Sequence, residues 1–385
     1  MLTAHRARLL CLGFAGLSFA FVAAWVWHLT GHDGPVGPDW KPQAVDFTAF
    51  WSAARLAVTG HARALYDNQF IGAFERSHTN MPAPPAYFAF YYPPPFLLLC
   101  LPLALLPYLG AMLLFLAAQA ALLWSILRRI LGTVWGLLPV LCWPGFLVDI
   151  VFGQNGGFSA ACFGGALLLL HSRPMLAGVC LGALVCKPQL ALCVPIALLA
   201  ARRARALAAC AATALALSLL SLLAFGPGAW AGFLANAPAA RNDIETLPVK
   251  WPVMQSVYAS ARLAGCGLGT AYILHAIAAA AAIVLLIRIC LRRSRGGAEM
   301  AALAATALLF SPFLYIYDLT VLAVPLAWVA ADAARTGWWP GEKLFLLAVY
   351  ILPPVAYAAG LGLHAVIGPP FVLALLLLIE RRAAA

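Results

Sequence analysis

Pro93-Pro94-Pro95-Phe96-Leu97-Leu98-Leu99-Cys100-Leu101-Pro102-Leu103-Ala104-Leu105-Leu106-Pro107 is apolar enough to enter a membrane. Whether it crosses decides the arrangement of everything after it, because a crossing here moves every later loop to the other side. Charge settles the matter. If 93–107 crosses, Arg128-Arg129 and Arg202-Arg203-Arg205 face the side opposite the basic N-terminus. If it lies in the interface, 16 of the 24 Lys and Arg fall on one side and nine of the 13 Asp and Glu on the other. Orientation follows Lys and Arg in short loops, so the interfacial reading is preferred and both termini are expected to be cytoplasmic.

The rest of the chain agrees with a membrane setting. Of its 385 residues 64% are hydrophobic and only 10% charged, against about 45–50% and about 25% in soluble domains. The apolar residues come in runs near the length that crosses roughly 30 Å of hydrocarbon. The expectation is an all-α polytopic membrane protein with twelve spans, at 9–29, 109–130, 134–151, 156–171, 174–186, 188–201, 205–225, 269–291, 298–312, 314–331, 342–360 and 365–380. The first is read as an uncleaved span, because its core is longer than that of a signal peptide. An outer-membrane barrel is excluded, since the alternating pattern it needs is absent.

The net charge of +11 does not point to nucleic acid. The basic residues are short clusters between apolar runs, as positive-inside topology requires. Most of the cysteines lie within apolar runs, with no CxxC pair, and read as small buried hydrophobes. The histidines have no ligand spacing, so no metal site and no cofactor are expected. There is no nucleotide-binding loop and no internal repeat.

Two long segments remain on the outer side, 30–108 and 226–268, while the inner loops are only a few residues long. The first carries Val45-Asp46-Phe47-Thr48-Ala49-Phe50-Trp51-Ser52-Ala53-Ala54-Arg55. Its apolar residues share a helical face, so it is expected to lie flat on the membrane surface with Asp46 at its start. A carboxylate held at the lip of a bilayer is costly unless it has a task or a partner.

Other polar groups are expected on the same side. Gly153-Gln154-Asn155-Gly156-Gly157 joins two spans, either as a plain tight turn or as a source of donors and acceptors for hydroxyls. Asp149 lies one turn upstream. Lys187-Pro188-Gln189 interrupts a hairpin, where the lysine either snorkels or pairs with a carboxylate or lipid phosphate. Ser311-Pro312-Phe313-Leu314-Tyr315-Ile316-Tyr317-Asp318 brings another carboxylate, which either caps a helix or takes part in a site. Arg241 and Lys250 are exposed candidates for phosphate contact.

Taken in order, Asp46-Phe47-x-x-Phe50-Trp51-x-Ala53-x-Arg55, Gly60, Leu65-Tyr66-Asp67, Tyr92-Pro93-Pro94-Pro95, Gly153-Gln154-Asn155-Gly156, Arg173-Pro174, Lys187-Pro188-Gln189 and Ser311-Pro312-x-x-Tyr315-x-Tyr317-Asp318 resemble glycosyltransferase family 87. That family belongs to the GT-C superfamily and includes mycobacterial polyprenyl-phosphomannose-dependent mannosyltransferases. The resemblance implies one GT-C-like transmembrane domain over 1–385. It also implies a polyprenyl-phosphate sugar donor, a lipid or glycan acceptor, and an active site on the periplasmic face of a bacterial inner membrane. Asp46 matches the family's catalytic base. Arg55, Tyr92, Gln154, Asn155, Lys187, Gln189, Tyr317 and Asp318 become candidate substrate contacts. A multi-span transporter of lipid-linked or small polar substrates is the alternative. The large outer segments and the lack of internal symmetry stand against it.

The topology has a direct test. Alkaline phosphatase fused after Asp243 should be active and after Arg203 inactive; the reverse pattern would place 93–107 across the membrane.

Overall fold

Backbone groups in lipid must be satisfied within the chain, and helices are the result. The computed structural model describes residues 45–79, 87–132, 143–292 and 297–385, together with Gly13, Gly16, Leu17, Ala20 and Ala24 of one helix. Apart from those five positions the predicted span 9–29 lies outside the described residues, as do Asp33, Asp39 and 134–142 of the predicted span 134–151.

Helix α1 (Val45–Val58) is followed by a short 3-10 turn and α2 (Asn68–His78). The 93–107 run forms α3 (Pro94–Cys100) and a 3-10 turn, Leu101–Leu105. At 1.5–2 Å per residue these twelve positions reach only about 20 Å, too short to cross. Then come α4 (Tyr108–Leu131), α5 (Pro144–Phe152), α6 (Gly156–Leu169), α7 (Pro174–Gly182), α8 (Pro188–Ala191), α9 (Val194–Ala200) and α10 (Ala204–Thr246). The chain ends with α11 (Val257–Leu263), α12 (Leu268–Leu291), α13 (Ala298–Phe310), α14 (Ala323–Thr336), α15 (Glu342–Leu363) and α16 (Gly368–Ala384). Among the described residues there is no strand, only an isolated bridge between Met254 and Tyr315.

The predicted spans do not all appear as long helices among the described residues. Among the described residues five helices are long and apolar enough to cross a membrane: Tyr108–Leu131, Ala204–Thr246, Leu268–Leu291, Ile316–Thr336 and Glu342–Leu363. The predicted spans 156–171, 174–186, 188–201 and 298–312 are shorter apolar helices. Local hydropathy could not separate them, because a short helix buried inside protein is as apolar as one facing lipid. Helix α13 is such a case, with all but one of its residues buried. The Ile316–Thr336 helix is similar, 83% buried over its most apolar window.

Helix α10 is long and apolar enough to cross, and it kinks within its length. Gly226 takes φ 74° and ψ 170° immediately before Pro227, a kink one residue past the predicted span 205–225. The chain continues in helix over the outer segment as far as Thr246, where Asn236 Nδ2 donates to Asn68 Oδ1 at 3.1 Å.

Helix α1 is enclosed, not laid flat on a lipid surface. Phe47, Thr48, Phe50, Ser52, Ala53, Ala54 and Leu56 are each at most 2% exposed, and together they point to every side of the helix. Phe50 meets Phe96 of α3 at 5.0 Å between ring centroids. Thr48 Oγ1 lies 3.0 Å from the Tyr108 hydroxyl, and Trp51 Nε1 donates to Leu106 O at 3.1 Å. The aromatic face that suggested a membrane anchor packs instead against α3 and α4.

Helices α7 and α10 meet through small residues. A Cβ on Gly178 would lie 2.8 Å from Ala209 Cβ, and one on Gly182 2.7 Å from Thr213 Cβ. This is the small-xxx-small spacing that lets membrane helices approach closely. Gly178→Leu should therefore destabilise the detergent-solubilised protein by about 1–3 kcal/mol in a thermal unfolding scan. Val179→Leu, on the exposed neighbouring position, should leave Tm unchanged.

Candidate active site

The site forms where the turn between α5 and α6 meets the start of α1. Gly153 adopts φ 66°, ψ 37°, the left-handed conformation that glycine takes without strain. This closes α5 and sends the chain straight into α6. Asp149, fully buried on α5, caps the new helix: its Oδ1 accepts from Gly156 N at 2.8 Å and its Oδ2 from Gly157 N at 3.0 Å. A negative charge at a helix N-terminus is favourable there. Gln119 of α4 grips the same turn, donating to Gln154 O at 2.9 Å and accepting from Phe158 N at 3.0 Å. A Cβ at Gly156 would lie 2.6 Å from Tyr317 O, so the turn also needs glycine to fit under the 311–318 segment.

The turn presents Gln154 and Asn155 inward, 3% and 1% exposed. Gln154 Oε1 accepts from the backbone N–H of Asn155 at 3.2 Å and from the Tyr92 hydroxyl at 2.8 Å. A backbone N–H can only donate, so the amide orientation is fixed and Nε2 must face the other way. It donates to Asp46 Oδ2 at 2.8 Å. Asn155 is fixed by the same logic. Its Oδ1 accepts from Lys187 Nζ at 2.8 Å, and a lysine ammonium has only donors. The Asn155 Nδ2 group, buried, is left without a partner among the described residues.

Lys187 is buried, 1% exposed. It forms an ion pair with Asp318, and its ammonium sits 5.0 Å from the centre of the Tyr317 ring. The lysine neither snorkels to the surface nor offers a free charge to a lipid phosphate. Asp318 fills both roles open to it: Oδ2 accepts from Tyr315 N at 3.1 Å as a helix cap, and the same carboxylate neutralises Lys187. Tyr317 stacks on Tyr315 with ring centroids 5.4 Å apart.

Asp46 sits in the first turn of α1, half-buried. Burial pushes its carboxyl up to about 6, against the opposing pulls of the Gln154 hydrogen bond and the Lys187 and Lys250 charges. It is a carboxylate at neutral pH, with one oxygen held by Gln154.

Of the predicted contacts, Asp46, Tyr92, Gln154, Asn155, Lys187, Tyr317 and Asp318 come together in one network. Arg55 does not join it. Nine residues separate it from Asp46, about 13 Å along the helix axis and half a turn round. Its guanidinium instead lies 5.1 Å from the centre of the Trp51 ring. Gln189 is half-buried two residues after Lys187, in the first turn of α8, and among the described residues no hydrogen bond links it to the network.

Three residues the sequence did not single out belong to the surroundings: Gln119, Tyr91 and Asp243. Tyr91 donates to Asp243 Oδ2 at 2.8 Å, and Lys250 pairs with the same oxygen at 3.2 Å. This joins the two outer segments beside Tyr92. A polar residue mid-span, as Gln119 is, was the one available signal. Among the described residues no three His, Cys, Asp or Glu side chains gather as a metal-binding group.

A family model described as glycosyltransferase family 87 matches residues 90–312, more than half of the chain. No curated protein and no solved structure matches.

Removing one partner of a buried ion pair leaves a bare charge, at a cost of about 3–5 kcal/mol. Lys187→Met alone should therefore lower Tm sharply. The double variant Lys187→Met with Asp318→Asn should recover most of the loss, and additive losses in this cycle would show that the two charges are independent.

Proposed function

The chain belongs to glycosyltransferase family 87, and from that premise we propose that it transfers a hexose, mannose by expectation, from a polyprenyl-phosphate sugar to an acceptor hydroxyl. The reaction takes place at the outer face of a bacterial inner membrane, with Asp46 as general base. The observation that carries this reading is the state of Asp46: a half-buried carboxylate, oriented by Gln154 and pushed up to about 6. A base of that strength is ionised at neutral pH yet basic enough to take a proton in the transition state.

The geometry supports the following roles. The acceptor hydroxyl attacks the anomeric carbon and its proton passes to Asp46. The bond from that carbon to the phosphate oxygen breaks, and the polyprenyl phosphate leaves with the electron pair. One base and no second carboxylate nucleophile give a single displacement with inversion, by analogy with inverting glycosidases. The free Nδ2 of Asn155 supplies a donor to substrate oxygen. Lys250 is paired with Asp243 at 3.2 Å but, unlike Lys187, keeps 27% of its side chain exposed beside the Asp46 network, which makes it the candidate cation for the leaving phosphate. Lys187 and Asp318 act by position: they hold Asn155, and through it the turn that holds Asp46.

Membranes carrying Asp46→Asn should transfer radiolabelled sugar from a polyprenyl-phosphate donor about 10²–10⁴-fold more slowly than wild type. Equal rates would remove Asp46 from the mechanism. Below about pH 6 Asp46 is protonated and cannot act as a base, so kcat/KM should fall roughly tenfold per pH unit there and level off above. Gln154→Leu deletes the hydrogen bond that stabilises the carboxylate, so it should move this acid limb to higher pH. A limb that stays in place would separate Gln154 from the base.

A further inference from the structure

A second concave site opens on the outer face, apart from the Asp46 network. Arg241, Tyr272, Pro312 and Phe313 line a cavity of about 310 Å³, at the lower end of the size range of small-molecule sites. Its walls come from the outer ends of α10 and α12 and from the 311–318 segment. The Tyr272 and Phe313 rings stand nearly at right angles, 84°, with centroids 6.4 Å apart. Behind them Tyr258 packs against both rings, and its buried hydroxyl has no hydrogen-bond partner among the described residues.

The polar side of this cavity is balanced in charge. Arg241 Nε donates to Glu245 Oε1 at 2.7 Å, and the Tyr272 hydroxyl donates to the same oxygen at 2.6 Å. The Arg241 side chain remains 64% exposed. The nearby Arg262 is occupied with the backbone carbonyls of Cys266 and Glu245 and with the Trp251 ring. An anion site would present unbalanced positive charge. A neutralised Arg–Glu pair beside two aromatic rings suits a neutral polyol. Pyranose C–H groups pack on the negative face of a ring, and the hydroxyls find both donor and acceptor along the Arg–Glu edge.

We infer that this cavity is a subsite for a pyranose unit of the acceptor, and the inference rests on the transferase reading above. The cavity and the Asp46 network share one short stretch of chain. Pro312 and Phe313 line the cavity, while Tyr315, Tyr317 and Asp318, at the other end of the same segment, face the Asp46 network. Ser256 Oγ donates to Pro312 O at 2.6 Å and Gln255 N to Leu314 O at 2.8 Å, so the segment is pinned between the two places. A sugar held in the cavity therefore has a fixed position relative to the base, and the acceptor is a glycan of at least two residues or a glycolipid.

The test uses full-length protein in nanodiscs free of sugar-headed detergent, with saturation-transfer NMR on methyl hexopyranosides and hexose disaccharides. Wild type and Asp46→Asn should both transfer saturation to the ring protons, and Tyr272→Ala and Phe313→Ala should lose at least about fivefold of that signal. Tyr272→Trp, which keeps an aromatic face, should retain it and guards against a folding defect. With a disaccharide acceptor, Tyr272→Ala should raise KM about tenfold and leave kcat within about twofold. Absence of saturation transfer in wild type, signals that survive both alanine variants, or displacement of the sugars by inorganic phosphate would each overturn the subsite. Loss of transfer in Asp46→Asn with no effect of Tyr272→Ala would sink the subsite alone. Sugar binding that depends on Tyr272, in a wild type that transfers from no polyprenyl donor, would keep the subsite and sink the transferase chemistry.

Discussion

A lysine ammonium inside an apolar helical bundle has to be neutralised, and the way Lys187 is neutralised arranges the polar interior of this protein. Its partner Asp318 comes from the far end of the chain, and its hydrogen-bond acceptor Asn155 from the turn between α5 and α6. Each satisfies a group that would be costly to leave bare. Once Asn155 and Gln154 are held, the amide of Gln154 has a single orientation, and Asp46 is the acceptor it finds. The ion pair touches no proposed reacting atom. It acts as the fixed point from which the base is positioned.

The apolar packing serves the same end. Asp149 and Gln119 tie the α5–α6 turn to its two neighbours. Trp143 Nε1 donates to Thr320 O at 3.2 Å and Thr320 Oγ1 to Gly145 O at 2.8 Å, which fixes the Asp318 segment against α5. Helix α1 is enclosed by α3 and α4, so Asp46 cannot swing away from the turn. A carboxylate on a mobile surface helix would be well hydrated, with an ordinary pKa. Enclosure is what raises it towards the range a general base needs.

The surface around the Asp46 network divides into two regions with one wall between them. The 311–318 segment gives Tyr317 and Asp318 to one side and Pro312 and Phe313 to the other. Tyr91, Asp243 and Lys250 link the first outer segment to the second across the same face. Two outer segments that looked separate in the chain are one surface in space.

The sequence by itself determined the class of the protein, the turn at Gly153, the helix break at Pro188, and most of the polar residues that gather in the Asp46 network. Those features are local, set by side-chain hydropathy and by backbone limits that each residue carries with it. The number of crossings was not legible, because α13 and the short helices beside it are apolar through burial in protein as well as through contact with lipid. Nor was the enclosure of α1, since an aromatic face reads the same whether it meets lipid or α3. Gln154 and Asp46 are 108 positions apart, and nothing in either residue's neighbourhood names the other. Lys187 had two possible partners, a phosphate or a carboxylate, and Arg55 had the right charge on the wrong side of its helix. Only the tertiary structure decided these, because a buried charge or amide is defined by what surrounds it, and its surroundings come from distant parts of the chain.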